Sequence, residues 1–465
     1  PLMLHRRAVL LLILVALGGT AFLWWQANAP NRAARRALER RGEGYSLAEL
    51  TALAQTVPEP ALWEVAGWRA WEQEQPSIAQ TCLLRARSEG ALSPQGYGLL
   101  GDLSAEAGNL EDAVSFWEQA VVQDAPQAGL WRRKLAQVAE SRGDWETALE
   151  DYRALLQRAP TDPELICHLG MLLAVLRPAE APAYLETAAA PASPCAALAA
   201  DLQDALVRGN LQDDPVYTAV LVGRALGGRG EWHLAAEAFR RAVERNPDYA
   251  EAWAFWGQAL EATGQDGSRA LETALRLDPA SLTAASLNAL YWRARGQPEK
   301  ALVYFYRAAS REPQNPLWEI EIGATLAQMG NISDALAHYR KATTLSPDDP
   351  APWRSLADFC LQYGLEIKET ALPAARRSVI LAPEEAASVE TLGRVYLRLG
   401  DLDSARRFAR RALSLDSGYA PAYLDLGLIA ALRGDDAQAR RMYQTVIALA
   451  PDSPAAAQAR RLLQP

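Results

Sequence analysis

The 465-residue chain has little of what most protein chemistry needs. Its four cysteines and four histidines are too few and too scattered for a disulfide framework or a Cys/His metal cluster. It contains no C-x-x-C, H-E-x-x-H, G-x-S-x-G or G-x-x-x-x-G-K-[ST], the signatures of zinc hydrolases, serine hydrolases and P-loop nucleotidases among others. Lysine is nearly absent, with Lys134, Lys300, Lys341 and Lys368 the only four among 47 basic residues. We read that as a composition bias. A net charge of −9 argues against general nucleic-acid binding, which needs a basic surface. We therefore expect no cofactor, no metal and no catalytic residue, and read the chain as no enzyme.

What is present is apolar surface. Half the residues are hydrophobic and 22% are charged, enough to build a large core. Ala8–Trp25 carries no charge, and eighteen helical residues span about 27 Å, close to the bilayer's hydrocarbon thickness. Trp24 and Trp25 fit an interfacial aromatic belt. We read residues 1–30 as a retained signal-anchor helix. Ala27-Asn28-Ala29 also fits a cleavage site, although Pro30 would follow the cut directly. A buried soluble helix fits poorly, since no face is polar. Arg32, Arg35, Arg36, Arg40 and Arg41 after the segment would hold the body in the cytoplasm, whereas Arg6 and Arg7 before it make the pattern of an export signal. We adopt an extracytoplasmic body and leave the cytoplasmic orientation open.

A repeat organises the rest. Ala148–Pro160, Ala235–Pro247, Ala301–Pro313, Ala335–Pro347 and Ala439–Pro451 each read Ala, three residues, aromatic, seven residues, Pro. Pro313 and Pro347 lie 34 residues apart. Upstream, a small residue recurs (Gly67, Gly101, Ala136, Gly170, Gly223, Gly257, Ala289, Gly323, Ala357, Gly393, Gly427), and nine units have a second glycine seven residues later. The spacing predicts two amphipathic helices per unit, the second glycine ending the first helix and the proline ending the second.

This pattern resembles the tetratricopeptide-repeat family, well shown by Trp253, Gly257 and Leu260 and by Ala235, Phe239, Ala242 and Pro247. The resemblance covers eleven units between Pro60 and Pro451 and implies an all-α solenoid of helix-turn-helix pairs, one of them degenerate, behind an N-terminal transmembrane helix. We divide the chain into the anchor (1–30), a juxtamembrane helical cap (31–59), an N-terminal array (60–193), an irregular connection with an extra helix (194–215), a C-terminal array (216–451) and a terminal capping helix (452–465). Pro178 and Pro182 interrupt the fourth unit, unit six lacks two residues near Gly267, and unit nine has two extra near Glu366–Glu369. Cys167 and Cys195 flank the irregular unit and would be placed to pair in an exported body; the sequence leaves that open. The Arg pairs of the second helices, such as Arg376-Arg377 and Arg410-Arg411, read as a solvated outer face.

The family binds protein partners on the face built from its first helices. Carrying its groove positions over gives Tyr217, Arg224, Gln258, Glu261, Leu290, Arg293, Ile320, Arg354, Asp358, Glu390, Arg394 and Arg398. Trp68 and Trp71, in the first helix of unit one, read as an aromatic anchor for a partner or as residues covered by the N-terminal helices. The Lys and Asn pattern that grips a C-terminal carboxylate in some members is not repeated here. The expected function is a membrane-tethered scaffold of the bacterial envelope that assembles protein partners in its groove. The alternatives are a structural subunit of a larger membrane complex, or the partner of a cell-envelope glycan-transfer enzyme.

Overall fold

The computed structural model describes residues 29–123 and 128–464. The apolar stretch Ala8–Trp25 lies outside the described residues, and among those described no helix is long and apolar enough to cross a membrane. The described residues form 26 α-helices and no strand. They fall into two compact units, one ending at Ala238 and one beginning at Phe239.

The first unit starts with α1 (Ala29–Glu39) and α2 (Leu47–Thr56), followed by the paired helices α3 (Ala61–Glu72) and α4 (Pro76–Ser88), α5 (Pro94–Glu106) and α6 (Leu110–Gln123), and α7 (Ala128–Arg142) and α8 (Trp145–Arg158). The next pair is irregular. α9 (Pro163–Leu176) is almost wholly buried, and α10 (Ala181–Ala188) has eight residues. After it come the seventeen-residue α11 (Ala196–Gln212), α12 (Pro215–Gly228) and α13 (Trp232–Arg245), within which the unit boundary falls. A disulfide joins Cys167 on α9 to Cys195 at the head of α11.

The second unit keeps its helices paired throughout. Its pairs are α14 (Ala250–Ala262) and α15 (Ser268–Leu277), α16 (Leu282–Ala294) and α17 (Pro298–Arg311), and α18 (Pro316–Gln328) and α19 (Ile332–Leu345). Then follow α20 (Pro350–Tyr363) and α21 (Leu372–Leu381), α22 (Ala386–Arg398) and α23 (Leu402–Leu415), and α24 (Ala420–Leu432) and α25 (Asp436–Leu449), with α26 (Pro454–Leu463) after them.

The repeat signals act as their chemistry requires. All nine second glycines, from Gly108 to Gly434, take positive φ, between 67° and 89°, which only glycine adopts without a Cβ clash. Asp144, Asp401 and Asp435 then cap the next helix by accepting from a backbone N–H. The repeat alanines Ala148, Ala235, Ala301, Ala335 and Ala439 are buried, and so are the aromatics four residues on (Tyr152, Phe239, Phe305, Tyr339 and Tyr443). Each such aromatic removes a large apolar area from water between stacked helices, worth roughly 1.5–3 kcal/mol. Where unit six is short, Gly257 and Gly267 bring the two helix backbones together; a Cβ on Gly267 would lie 2.1 Å from the Gly257 carbonyl oxygen. Where unit nine is long, Glu366 turns left-handed (φ 42°) and Ile367–Ala371 forms a π-helical turn that takes up the extra residues.

Candidate functional site

Two surfaces built from first helices carry the chemistry. In the second unit, α14 packs on α16, α18 on α20, α20 on α22 and α22 on α24. Side chains of one helix bond across to the next. Glu261 accepts from Arg295 at 3.0 Å and from the Gly267 backbone N–H at 2.8 Å, which ties its helix to the following turn. Arg293 pairs with Glu321 and lies over the Phe305 ring, 5.1 Å from its centroid. Arg354 pairs with Glu385 at 2.6 Å. Leu290 of α16 remains 42% exposed, Gln258 and Ile320 are half-buried, and Arg398 is exposed. Tyr217 and Arg224 stand on α12 of the first unit, half-buried and exposed respectively.

Asp358, Glu390 and Arg394 come together with two residues that the family pattern does not mark, Thr391 and Asp425. Thr391 and Arg394 donate to the same Asp358 oxygen at 3.2 and 3.3 Å. Arg394 Nε stands 3.7 Å from Glu390, and Glu390 shares a hydrogen bond with Asp425. Glu390 is buried rather than presented to a partner. Burial pushes its carboxyl up to about 7, with Arg394 opposing and Asp358 reinforcing the shift. Burial and the Glu390 carboxyl hold Asp425 well above the ordinary range, and its Oδ2 has no hydrogen-bond partner. Two facing buried carboxyls keep a proton between them, so this part of the face is a structural cluster under a charged rim. A carboxylate pair of this kind needs α22 and α24 to cross at a particular register, which the sequence of either helix does not display.

In the first unit, α3, α5 and α7 line a cleft of about 790 Å³. Trp68 and Trp71 both border it; their rings meet edge to face, 5.8 Å apart. Leu47 of α2 and Trp68 pack against the same buried cluster, while Trp71 stays 47% exposed. Trp131, Glu64 and Asp102 complete the walls and were not singled out by the repeat pattern. Trp131 enters because α5 carries glycine at 98; a Cβ there would stand 2.1 Å from the indole. Gly101 likewise leaves room for Trp117, whose Nε1 donates to Asp102 at 2.8 Å.

A second, smaller recess of about 350 Å³ in this unit is bordered by Glu140, His168, Glu231 and His233. His168 lies parallel to Tyr152 with ring centroids 4.8 Å apart, and the Glu140 carboxylate beside it raises its imidazole above the ordinary value. Among the described residues no group of His, Cys, Asp and Glu is arranged to hold a metal ion.

Tetratricopeptide-repeat models match residues 293–359 and 396–463 in one form and 65–129, 107–163, 222–266 and 366–420 in another. The chain is a tetratricopeptide-repeat protein. It is similar to the cellulose synthase operon protein C of Xanthomonas axonopodis pv. citri (strain 306), 27% identical over 350 residues, which is 73% of this chain and 21% of that protein. A shorter likeness, 30% over 122 residues, links it to human tetratricopeptide repeat protein 17, covering 25% of this chain and 10% of that one. The chain thus spans about a fifth or less of the length of the curated relatives it matches. Among solved structures it is similar to yeast Tom70 (14% identity, 87% of this chain and 94% of that one, TM-score 0.46). It is also similar to the APC/C assembly Cut9–Hcn1 (15% identity, 93% and 95%, TM-score 0.42).

Proposed function

We propose that this chain is a non-catalytic scaffold that binds a partner polypeptide on the first-helix face of its repeats, tethered to the membrane by residues 1–30. Tetratricopeptide repeats mediate protein–protein interaction, and stacked first helices offer an extended surface for it. The observation that carries the reading is the cross-bonded face of α14 to α22, where ion pairs order the side chains and Leu290 of α16 stays exposed. Such a surface is ordered before a partner arrives, so little side-chain entropy is lost on binding.

The relative named for a cellulose synthase operon favours a setting in cell-envelope polysaccharide production, with this chain as the partner of a glycan-synthesising or glycan-exporting assembly. The Cys167–Cys195 bond supports an extracytoplasmic body, since disulfides persist in oxidising compartments.

Photo-crosslinking in native membranes tests the scaffold. A crosslinker at Leu290 of the full chain is expected to give a discrete polypeptide adduct, while one at Val303, 65% exposed on the second helix α17, gives none. Adducts at Val303 alone would overturn the groove reading. Turnover of a sugar nucleotide by the purified chain would overturn the non-catalytic one. Protease accessibility in intact cells reads orientation, and release into the soluble fraction on deleting residues 1–30 reads the tether.

A further inference from the structure

The cleft of the first unit differs in character from the first-helix face of the second. Its volume, about 790 Å³, lies within the range of about 300–1,000 Å³ typical of ligand pockets. It stays open along its length, with Trp71 47% and Leu130 59% exposed. Trp71 is held in place. Trp68 meets it edge to face at 5.8 Å, and the Trp68 Nε1 donates to Glu64 at 3.4 Å. An indole fixed with an open face is a stacking platform that loses little freedom when a ligand covers it.

Of the three carboxylates around that platform, two are paired with cations and the third, Glu64, is held by hydrogen bonds. Asp102 takes Lys134 at 2.6 Å, and Glu72 takes Arg69 at 2.9 Å. Glu64 accepts from the backbone N–H of Ser93 at 2.9 Å and from its hydroxyl. These carboxylates still offer acceptor lone pairs, and Arg41 adds donors at the rim. A basic peptide would have to displace Lys134 from Asp102 or Arg69 from Glu72, or compete with the Ser93 and Trp68 donors at Glu64, and an acidic one would find the rim already carrying carboxylates. A ligand with apolar C–H faces and uncharged hydroxyls displaces nothing. It stacks on the indole and bonds to the free lone pairs around it.

We propose that this cleft binds a neutral polysaccharide chain, with Trp71 as the platform on which a pyranose ring stacks. The open walls suit a polymer lying across α3, α5 and α7 rather than a small molecule enclosed between them. This activity is separate from the protein-binding face of the second unit, so either can fail while the other stands.

Native gel electrophoresis of the full chain in mild detergent tests the proposal, with hydroxyethyl cellulose, dextran, xylan or polygalacturonate cast into the gel. Tryptophan fluorescence titration with cellohexaose runs beside it. At least one of the neutral polymers is expected to retard the protein, and anionic polygalacturonate is not. Trp71→Ala should weaken retardation about tenfold, the size of an anchor residue's loss. Trp71→Phe should keep most of it, and Arg41→Ala, on the exposed rim, should weaken it about threefold. Leu290→Ala, in the other unit, should leave it unchanged. No retardation by any neutral polymer, equal retardation of wild type and Trp71→Ala, or retardation by polygalacturonate alone overturns the proposal. So does a polypeptide crosslink that maps to Trp71.

Discussion

The two units respond differently to irregularity in the same repeat. In the second, two surplus residues become a π-helical turn at Ile367–Ala371, and the helices on either side still stack on their neighbours. In the first, Pro178 and Pro182 leave α10 with only eight residues, too short to cover α9 as a full second helix would. There the long α11 packs against α9 and α10, and a sulfur bridge ties it down. An insertion between helices leaves each nearest-neighbour interface intact. A shortened helix removes part of one, and since a stacked array is stable only through such interfaces, the loss needs a replacement.

That contrast can be broken in measurable ways. The largest effect is expected in the second unit, where Phe305→Ala empties a fully buried interlayer position at a cost of about 3–5 kcal/mol. Hydrogen exchange should then show lost protection around α16 to α18 and none in the first unit. Replacing Cys167 and Cys195 together by Ser should cost about 3 kcal/mol, with exchange rising in α9 to α11 and unchanged in α20 to α24. Equal loss in both units would defeat the idea that each responds locally. Gly98→Ala forces a methyl into the Trp131 indole and should cost about 2–3 kcal/mol in denaturant melts. Gly393→Ala, whose added carbon would meet Phe408 at 3.2 Å, should cost under about 1 kcal/mol.

The pH dependence also separates α22 from α9. Glu390 is raised from 4.5 to about 7 by burial, so the folded state holds a proton that the unfolded chain has already released. Stability of α22 to α24 therefore falls as pH rises from about 4.5 through about 7, by on the order of 3 kcal/mol, and Glu390→Gln should flatten that slope. His168 is also raised, by Glu140. Its contribution is full below 6.5 and is lost as pH climbs through the higher folded value, so α9 weakens in a later window than α22 to α24. Exchange rates measured across pH 4–9 would show the two slopes apart. A comparably small effect is expected of Arg411→Ala, which frees one carbonyl at a cost of about 1 kcal/mol.

Much of this architecture was legible in the residues. The nine turn glycines, the repeat alanines and the aromatics four residues later each state a local requirement: a positive φ, a close helix approach, or a filled layer. Features that depend on two distant helices were not. The arginine pairs read as a solvated face, yet Arg377 donates to the Pro347 carbonyl at 3.3 Å and Arg411 to the Pro383 carbonyl at 3.0 Å. Both tie a second helix to the end of the preceding repeat. Likewise Trp131 shows no repeat phase that would place it in the cleft, because its seat is made by the glycine of another helix. Of the candidate binding residues, Glu390 is buried and Glu261, Arg293 and Arg354 are engaged in bonds between neighbouring elements, while Leu290 and Trp71 keep open surface.

The link between Cys167 and Cys195 has a further consequence for how the protein survives damage. Residues 190–192 between them are exposed and offer a peptidase an opening. A chain nicked there stays in one covalent piece, its two fragments held by sulfur alone. It should migrate at full size on a gel run without thiol and split into two bands when thiol is added.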